Sequence, residues 1–163
     1  MTERNGGSPE TTIVGVISDT HGLVRPEALD ALRGSHLILH AGDVGSSAVL
    51  DLLSTIAPVI AVRGNIDTAP WADQLPVDVV VEVGSASIYI LHDIARMDLV
   101  PEAAGFGTVI YGHSHKPEKK VRGGVLYLNP GSAGPRRFKL PVSVGRLVVT
   151  GSHVEAELIT LEA

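Results

Sequence analysis

The stretch Ile13-Val14-Gly15-Val16-Ile17-Ser18-Asp19-Thr20-His21-Gly22 decides the fold. Its first six residues are apolar and rich in β-branched side chains, which reads as a buried parallel strand over 13–18. Where the apolar run stops, Asp, His and Gly begin. The same pattern recurs along the chain. His40-Ala41-Gly42-Asp43 closes a strand expected over 37–41, and Arg63-Gly64-Asn65-Ile66-Asp67 closes one over 59–62. Leu91-His92-Asp93 closes a strand over 87–91, and Gly112-His113-Ser114-His115 closes one over 108–111. Helices expected over 26–32, with Pro26 in the first turn, and over 46–53, with Ser46 or Ser47 as N-cap, separate the first three strands. This β-α-β-α-β order favours a parallel sheet. Ligand-binding residues of open α/β sheets gather at the carboxyl ends of the strands. Asp19, His21, Asp43, Asn65, His92, His113 and His115 are therefore expected to converge.

Outward from this core the pattern changes. Strands over 77–83 and 87–91 flank a Gly84-Ser85 turn, a hairpin signal. A helix is expected over 97–104 and a strand over 125–128 after Gly123-Gly124. A terminal antiparallel pair over 142–149 and 154–160 is joined at Gly151-Ser152. Residues 1–10, polar and containing Asn5-Gly6-Gly7-Ser8-Pro9, read as a disordered tail. Residues 11–163 read as one domain of ordinary size.

Composition narrows the function classes. The chain of 163 residues is 44% apolar but only 4% aromatic, so aliphatic side chains must fill the core. A net charge of −5 argues against sequence-independent nucleic-acid binding, which needs a basic face. The chain has no cysteine, which excludes disulfides, thiolate catalysis, cysteine-based zinc sites and iron–sulfur clusters. No apolar run approaches the ~20 residues that span a bilayer, and the N-terminus has no signal-peptide core. A cytoplasmic location is expected. Apolar strands near the C-terminus leave pairing between copies, as a homo-oligomer, open.

Imidazole nitrogens and carboxylate oxygens without sulfur suit Mn, Fe, Ni, Co or Zn. All-oxygen ligands would have pointed to Mg or Ca. Seven ligands exceed what one ion needs and suit two if a carboxylate bridges; Asp43 is the best bridge. Two-residue spacing in an extended chain places Asp19 and His21 on one side, and His113 and His115 likewise. Six of the seven also have a plainer role open to them. Asp19 and Asp43 suit helix caps, Asn65 suits a left-handed turn, and His92, His113 and His115 suit hydrogen bonds to backbone. His40 reads as a core histidine or as one orienting a ligand, and Asp67 as a ligand support or a turn stabiliser. His36, His153, Arg136 and Arg137 read as surface residues, and Trp71 as packed under a loop.

The ordered set Asp-x-His, Gly-Asp, Gly-Asn-x-Asp, His and Gly-His-x-His resembles the calcineurin-like metallophosphoesterase superfamily, and the short length resembles its small YfcE-type phosphodiesterases. Asn129-Pro130-Gly131-Ser132 resembles a further family segment. The resemblance implies a four-layer α/β/β/α sandwich of two mixed β-sheets flanked by helices. It implies one ion held by Asp19, His21, Asp43 and His115, and another by Asp43, Asn65, His92 and His113. Manganese is the leading metal, with Ni, Fe, Co and Zn as alternatives. The implied reaction is hydrolysis of a small or nucleotide-like phosphodiester by hydroxide bridging the two ions, with catalysis resting on Asp43, Asn65 and His92. A phosphomonoesterase, or a protein-binding scaffold like Vps29, is the alternative. Two positions depart from the pattern. Ile66 and Ile94 stand where family members often carry histidine, which leaves the general acid unidentified.

Overall fold

The computed structural model describes residues 10–163; the expected tail lies, apart from Glu10, outside the described residues. The first half runs β1 (Thr11–Ile17), α1 (Pro26–Leu32), β2 (Leu37–His40), α2 (Ser47–Leu53) and β3 (Val59–Ala61). The second runs β4 (Asp78–Val83), β5 (Ala86–Leu91), α3 (Pro101–Ala104), β6 (Thr108–Ile110), β7 (Glu118–Arg122), β8 (Val125–Asn129), β9 (Ser143–Thr150) and β10 (His153–Thr160). Short 3-10 turns cover Pro70–Gln74 and Ile94–Arg96. One sheet has the order β10-β9-β1-β2-β3 and the other β4-β5-β6-β8-β7. β1, β2 and β3 are parallel, as are β5, β6 and β8, while the outer strands pair antiparallel.

Alternation along each strand builds the layers. Val14, Val16, Leu39 and Leu147 of the first sheet pack against Ile88, Ile90, Ile110 and Leu128 of the second. The opposite faces turn outward. Ile17, Ile38 and Val144 meet Ala28, Leu32, Val49 and Leu53 of α1 and α2. Tyr89, Leu91, Val109 and Tyr127 are covered by Ile94, Met97, Leu99 and Phe106. The result is the expected α/β/β/α sandwich. Each fully buried aliphatic side chain contributes about 2 kcal/mol, which lets the fold carry strain at its rim. α1 docks closely because Gly15 has no side chain; a Cβ there would stand 2.7 Å from Leu32.

Two elements differ from expectation. The helix over 97–104 is replaced by the 3-10 turn at Ile94–Arg96 and by α3, because Pro101 disfavours helical backbone at Val100, which is extended (φ −106°, ψ 108°). The second is β7, a strand where the sequence pattern announces none. Its sequence Glu-Lys-Lys-Val-Arg is exposed along nearly its whole length and shows no apolar alternation. It forms through backbone pairing to β8 across the Gly123-Gly124 turn, and its charges suit a sheet edge. Among the described residues, no helix is long and apolar enough to cross a membrane.

Candidate metal centre

The parallel strands of both sheets end on the same rim of the sandwich. Asp19 and His21 follow β1, Asp43 follows β2 and Asn65 follows β3; His92 follows β5, and His113 and His115 follow β6. The rim thus draws ligands from two sheets that share one core. Each of the seven has a side-chain nitrogen or oxygen within 3.6 Å of another member's.

Local backbone does not follow the extended geometry expected for the paired motifs. Asp19 (φ 55°), His21 (49°), Asp43 (56°), His113 (74°) and His115 (64°) are all left-handed. Among the described residues only one other non-glycine residue, Phe138, has positive φ. Such conformations cost on the order of 1 kcal/mol each and persist where surroundings over-determine them. As a result His113 and His115 do not face the same way, contrary to expectation. His113 Nδ1 lies 3.2 Å from Asn65 Oδ1, whereas His115 Nε2 lies 3.3 Å from Asp19 Oδ1. The left-handed turn sends one imidazole to each end of the cluster.

A dense backbone lattice holds these turns. Asp19 N donates to Gly42 O (3.0 Å) and His21 N to Asp43 O (2.9 Å). The Asp67 carboxylate accepts from Val44 N (3.1 Å), Gly45 N (2.9 Å) and Gly64 N (2.9 Å), tying the β2 and β3 loops together. Its role is therefore support of the ligand loops. His40 is fully buried and joins the β1 and β2 loops. Thr20 Oγ1 donates to Val44 O (2.8 Å), so it must accept from His40 Nε2 (3.0 Å), and His40 Nδ1 accepts from Gly42 N (3.1 Å). This network fixes a neutral imidazole with its proton on Nε2. Burial pushes its pKa down to about 4. Asn129 donates from Nδ2 to Gly112 O and Ser114 Oγ (both 3.1 Å), and Ser132 Oγ donates to Asp19 O (3.0 Å). Sequence singles out the Asn129–Ser132 segment but does not assign these bracing roles. Close approach of the loops needs Gly64 and Gly112, where a Cβ would collide with Asp43 and with Ser18 and Asp19 respectively.

Polar atoms in the cluster lack ordinary partners. Asp19 Oδ1, His21 Nε2 and His115 Nδ1 are buried without a hydrogen bond, an arrangement that costs about 1–3 kcal/mol per group. The other side presents a sharper conflict. His92 Nδ1 donates to Ala41 O at 2.7 Å, which leaves a lone pair on Nε2 when the ring is neutral. That atom faces Asn65 Oδ1 (3.1 Å) and Asp43 Oδ2 (3.3 Å), both acceptors. Converging lone pairs require a cation between them, either a proton or a metal ion. Burial disfavours the protonated His92 ring, yet Asp43 and Asp19 outweigh it and raise the pKa. Burial likewise disfavours ionised Asp19, but the His115 ring, 3.3 Å from Oδ1, and the Ser18 hydroxyl hold its pKa below the usual carboxylate value. Asp43 is lowered in the same way, against burial, by His92 and the Ile66 amide.

The donor set fits divalent metal. Asp19, His21 and His115 offer ligand atoms within 4.8 Å of one another, and so do Asp19, Asp43 and His92. Asp43 Oδ2 lies between His21 (3.6 Å) and His92 (3.3 Å), while Asp19 Oδ1 is 3.9 Å from the same two rings. Two carboxylates, not Asp43 alone, therefore stand between the halves. A cleft of about 710 Å³ opens beside Asn65, His92 and His113 and is also lined by Arg63 and Arg96. Arg136 and Arg137 are exposed elsewhere, with Arg136 Nη2 donating to Ala163 O (3.2 Å). His36 and His153 are exposed, and Trp71 packs on the helical layer.

Comparison with known proteins identifies the family. A "Probable metallophosphoesterase" of Methanothermobacter thermautotrophicus is 36% identical over 159 residues, covering 90% of this chain and 91% of the relative. "Phosphodiesterase YfcE" of Escherichia coli K12 is 27% identical over 161 residues, covering 80% and 84%. Zinc-complexed Vps29 from Entamoeba histolytica superposes with a TM-score of 0.74 at 25% identity, covering 91% of this chain and 99% of that one. Residues 13–152 match the calcineurin-like phosphoesterase superfamily domain, and the chain belongs to that superfamily.

Proposed function

We propose that this chain is a two-metal phosphodiesterase that hydrolyses a small or nucleotide-like phosphodiester, with Mn2+ as its leading metal. The observation that supports the reading is the meeting of His92 Nε2, Asn65 Oδ1 and Asp43 Oδ2, three lone-pair donors that a cation alone can join. Asp19, His21, Asp43 and His115 would hold one ion, and Asp43, Asn65, His92 and His113 the other. When bound, such ions supply a water of lowered pKa and neutralise charge on phosphoryl oxygens.

The chain's own residues prepare that chemistry. The Ala41 carbonyl fixes the His92 ring so that Nε2 faces the cluster. The Ile66 amide binds Asp43 Oδ1 and leaves Oδ2 for the cluster. Ser18 and the His113 amide hold Asp19 Oδ2 in the same manner, leaving Oδ1. Two divalent ions less the charges of Asp19 and Asp43 leave about +2, so the rim attracts phosphate although the whole chain is acidic. Ile66 is 41% exposed and cannot protonate a leaving group, so an activated alcohol or solvent proton suits this site.

The test is to strip the purified protein of metal, restore single metals, and assay an aryl phosphodiester beside the monoester of the same leaving group. Hydrolysis restored by Mn2+ with the diester faster supports the reading. A faster monoester replaces it with a phosphomonoesterase. No turnover with any metal, together with a stable protein complex, favours a scaffold of the Vps29 kind.

A further inference from the structure

The cleft beside the cluster is built for more than a phosphoryl group. Its volume of about 710 Å³ lies in the range of small-molecule sites, and one wall is Asn65, His92 and His113. A diester whose phosphorus sat at that wall would project one of its two alcohols into the cleft. The lining also offers apolar surface from Val77, 62% exposed. It also offers Arg63.

Arg63 is half-buried, and its backbone is fixed by a hydrogen bond from its amide to Pro76 O (2.8 Å). Its guanidinium makes no ion pair or side-chain hydrogen bond with any described residue, unlike Arg25, Arg33, Arg136 and Arg146. A second cation, Arg96, stands at the mouth, 85% exposed and held loosely by Asp93 at 3.8 Å. The other carboxylates on the lining are committed elsewhere. Asp78 accepts from Tyr89 Oη (2.6 Å) and Asp67 accepts from three backbone amides. A half-buried planar donor with five N–H groups and no acceptor awaits an anion.

We infer that Arg63 binds a second anionic group of the substrate, so that the preferred diester carries a carboxylate or phosphate on the alcohol lying in the cleft. This rests on the phosphodiesterase reading and narrows its substrate class. Val77 packs the body of that alcohol, and Arg63 selects its charged end.

The test uses the full chain loaded with Mn2+ and three phenyl phosphodiesters whose leaving phenol bears no charge, a carboxylate, or a phosphonate. Rates are read as ratios within each protein variant, relative to the ratio in hydroxide solution. The wild type is expected to favour an anionic phenol in kcat/KM by about tenfold, the value of one charge-assisted contact. The stronger of the two anionic arms identifies the group. Arg63→Gln is expected to abolish the preference and Arg63→Lys to retain part of it. An unchanged ratio in Arg63→Gln, or no preference in the wild type, overturns the inference while leaving the phosphodiesterase reading intact. If no diester is cleaved, that reading falls. Calorimetric binding of uncleavable phosphonate analogues with and without the anion then decides the Arg63 role, since equal affinities overturn it.

Discussion

The two halves of the cluster are built differently. Around Asp19, His21 and His115 the ligand atoms are buried, set by left-handed turns, and left without partners. Around Asn65, His92 and His113 the atoms already touch one another and open onto the 710 Å³ cleft. The first half is closed in and the second accessible; on the proposed two-metal reading the first would keep its ion and the second would meet substrate. Asp43 and Asp19 stand between them. The difference lies in their origin: one donor set comes mainly from the β1 loop, the other from the loops after β3, β5 and β6, so that one rim offers two donor sets of unlike exposure.

The largest expected effect comes from removing the link. Asp43→Ala should lose both ions by elemental analysis and lower kcat/KM on an aryl diester by about 10³-fold, equivalent to ~4 kcal/mol of transition-state stabilisation. Retention of two ions would show that Asp19 suffices as the bridge. Single removals should separate the halves. His21→Ala and His113→Ala should each retain one ion and lose about 10²-fold in kcat. Only His113→Ala should also raise KM, because only His113 borders the cleft. Equal changes in KM would erase the distinction.

Support beneath the halves should show in stability. Asp67→Ala strands three backbone donors that its carboxylate now binds, and should cost about 4 kcal/mol in urea unfolding. A separate effect is in pH. In metal-free protein the depressed His40 pKa means that the unfolded chain gains a proton near pH 6.5 and the folded chain only near 4. Stability should therefore fall by about 3 kcal/mol as pH drops through that window. His40→Asn should flatten the slope there. His92 has the opposite sign: its raised pKa gives stability that is fully present below its unfolded value and is lost as pH rises through the folded one. The Asp19 and Asp43 contributions lie lower still, lost as pH falls below the ordinary carboxylate value.

The order of the rim is legible in the sequence, for a definite reason. Apolar β-branched runs announce strands, and polar residues with glycine announce where they stop, so the seven residues can be read in turn. Direction cannot. Asp19, His21, His113 and His115 share a two-residue spacing that suggests a common face, but left-handed backbone separates His113 from His115. That conformation arises from contacts with other loops, such as Asn129 on Gly112, which local sequence does not encode. β7 is hidden because an edge strand needs no apolar alternation. The arginines mislead for a related cause. Arg136 and Arg137 stand near a motif in sequence, whereas Arg63 and Arg96 face the cleft only after the β3 and β5 loops meet. His40 needs the Thr20 hydroxyl, twenty residues away, to declare its tautomer.

The most direct test is anomalous diffraction from crystals of the full chain grown with Mn2+. Two peaks are expected on the rim, one among Asp19, His21 and His115 and one among Asn65, His92 and His113, with Asp43 in contact with both. A single peak, or none among these side chains, would contradict the two-metal reading.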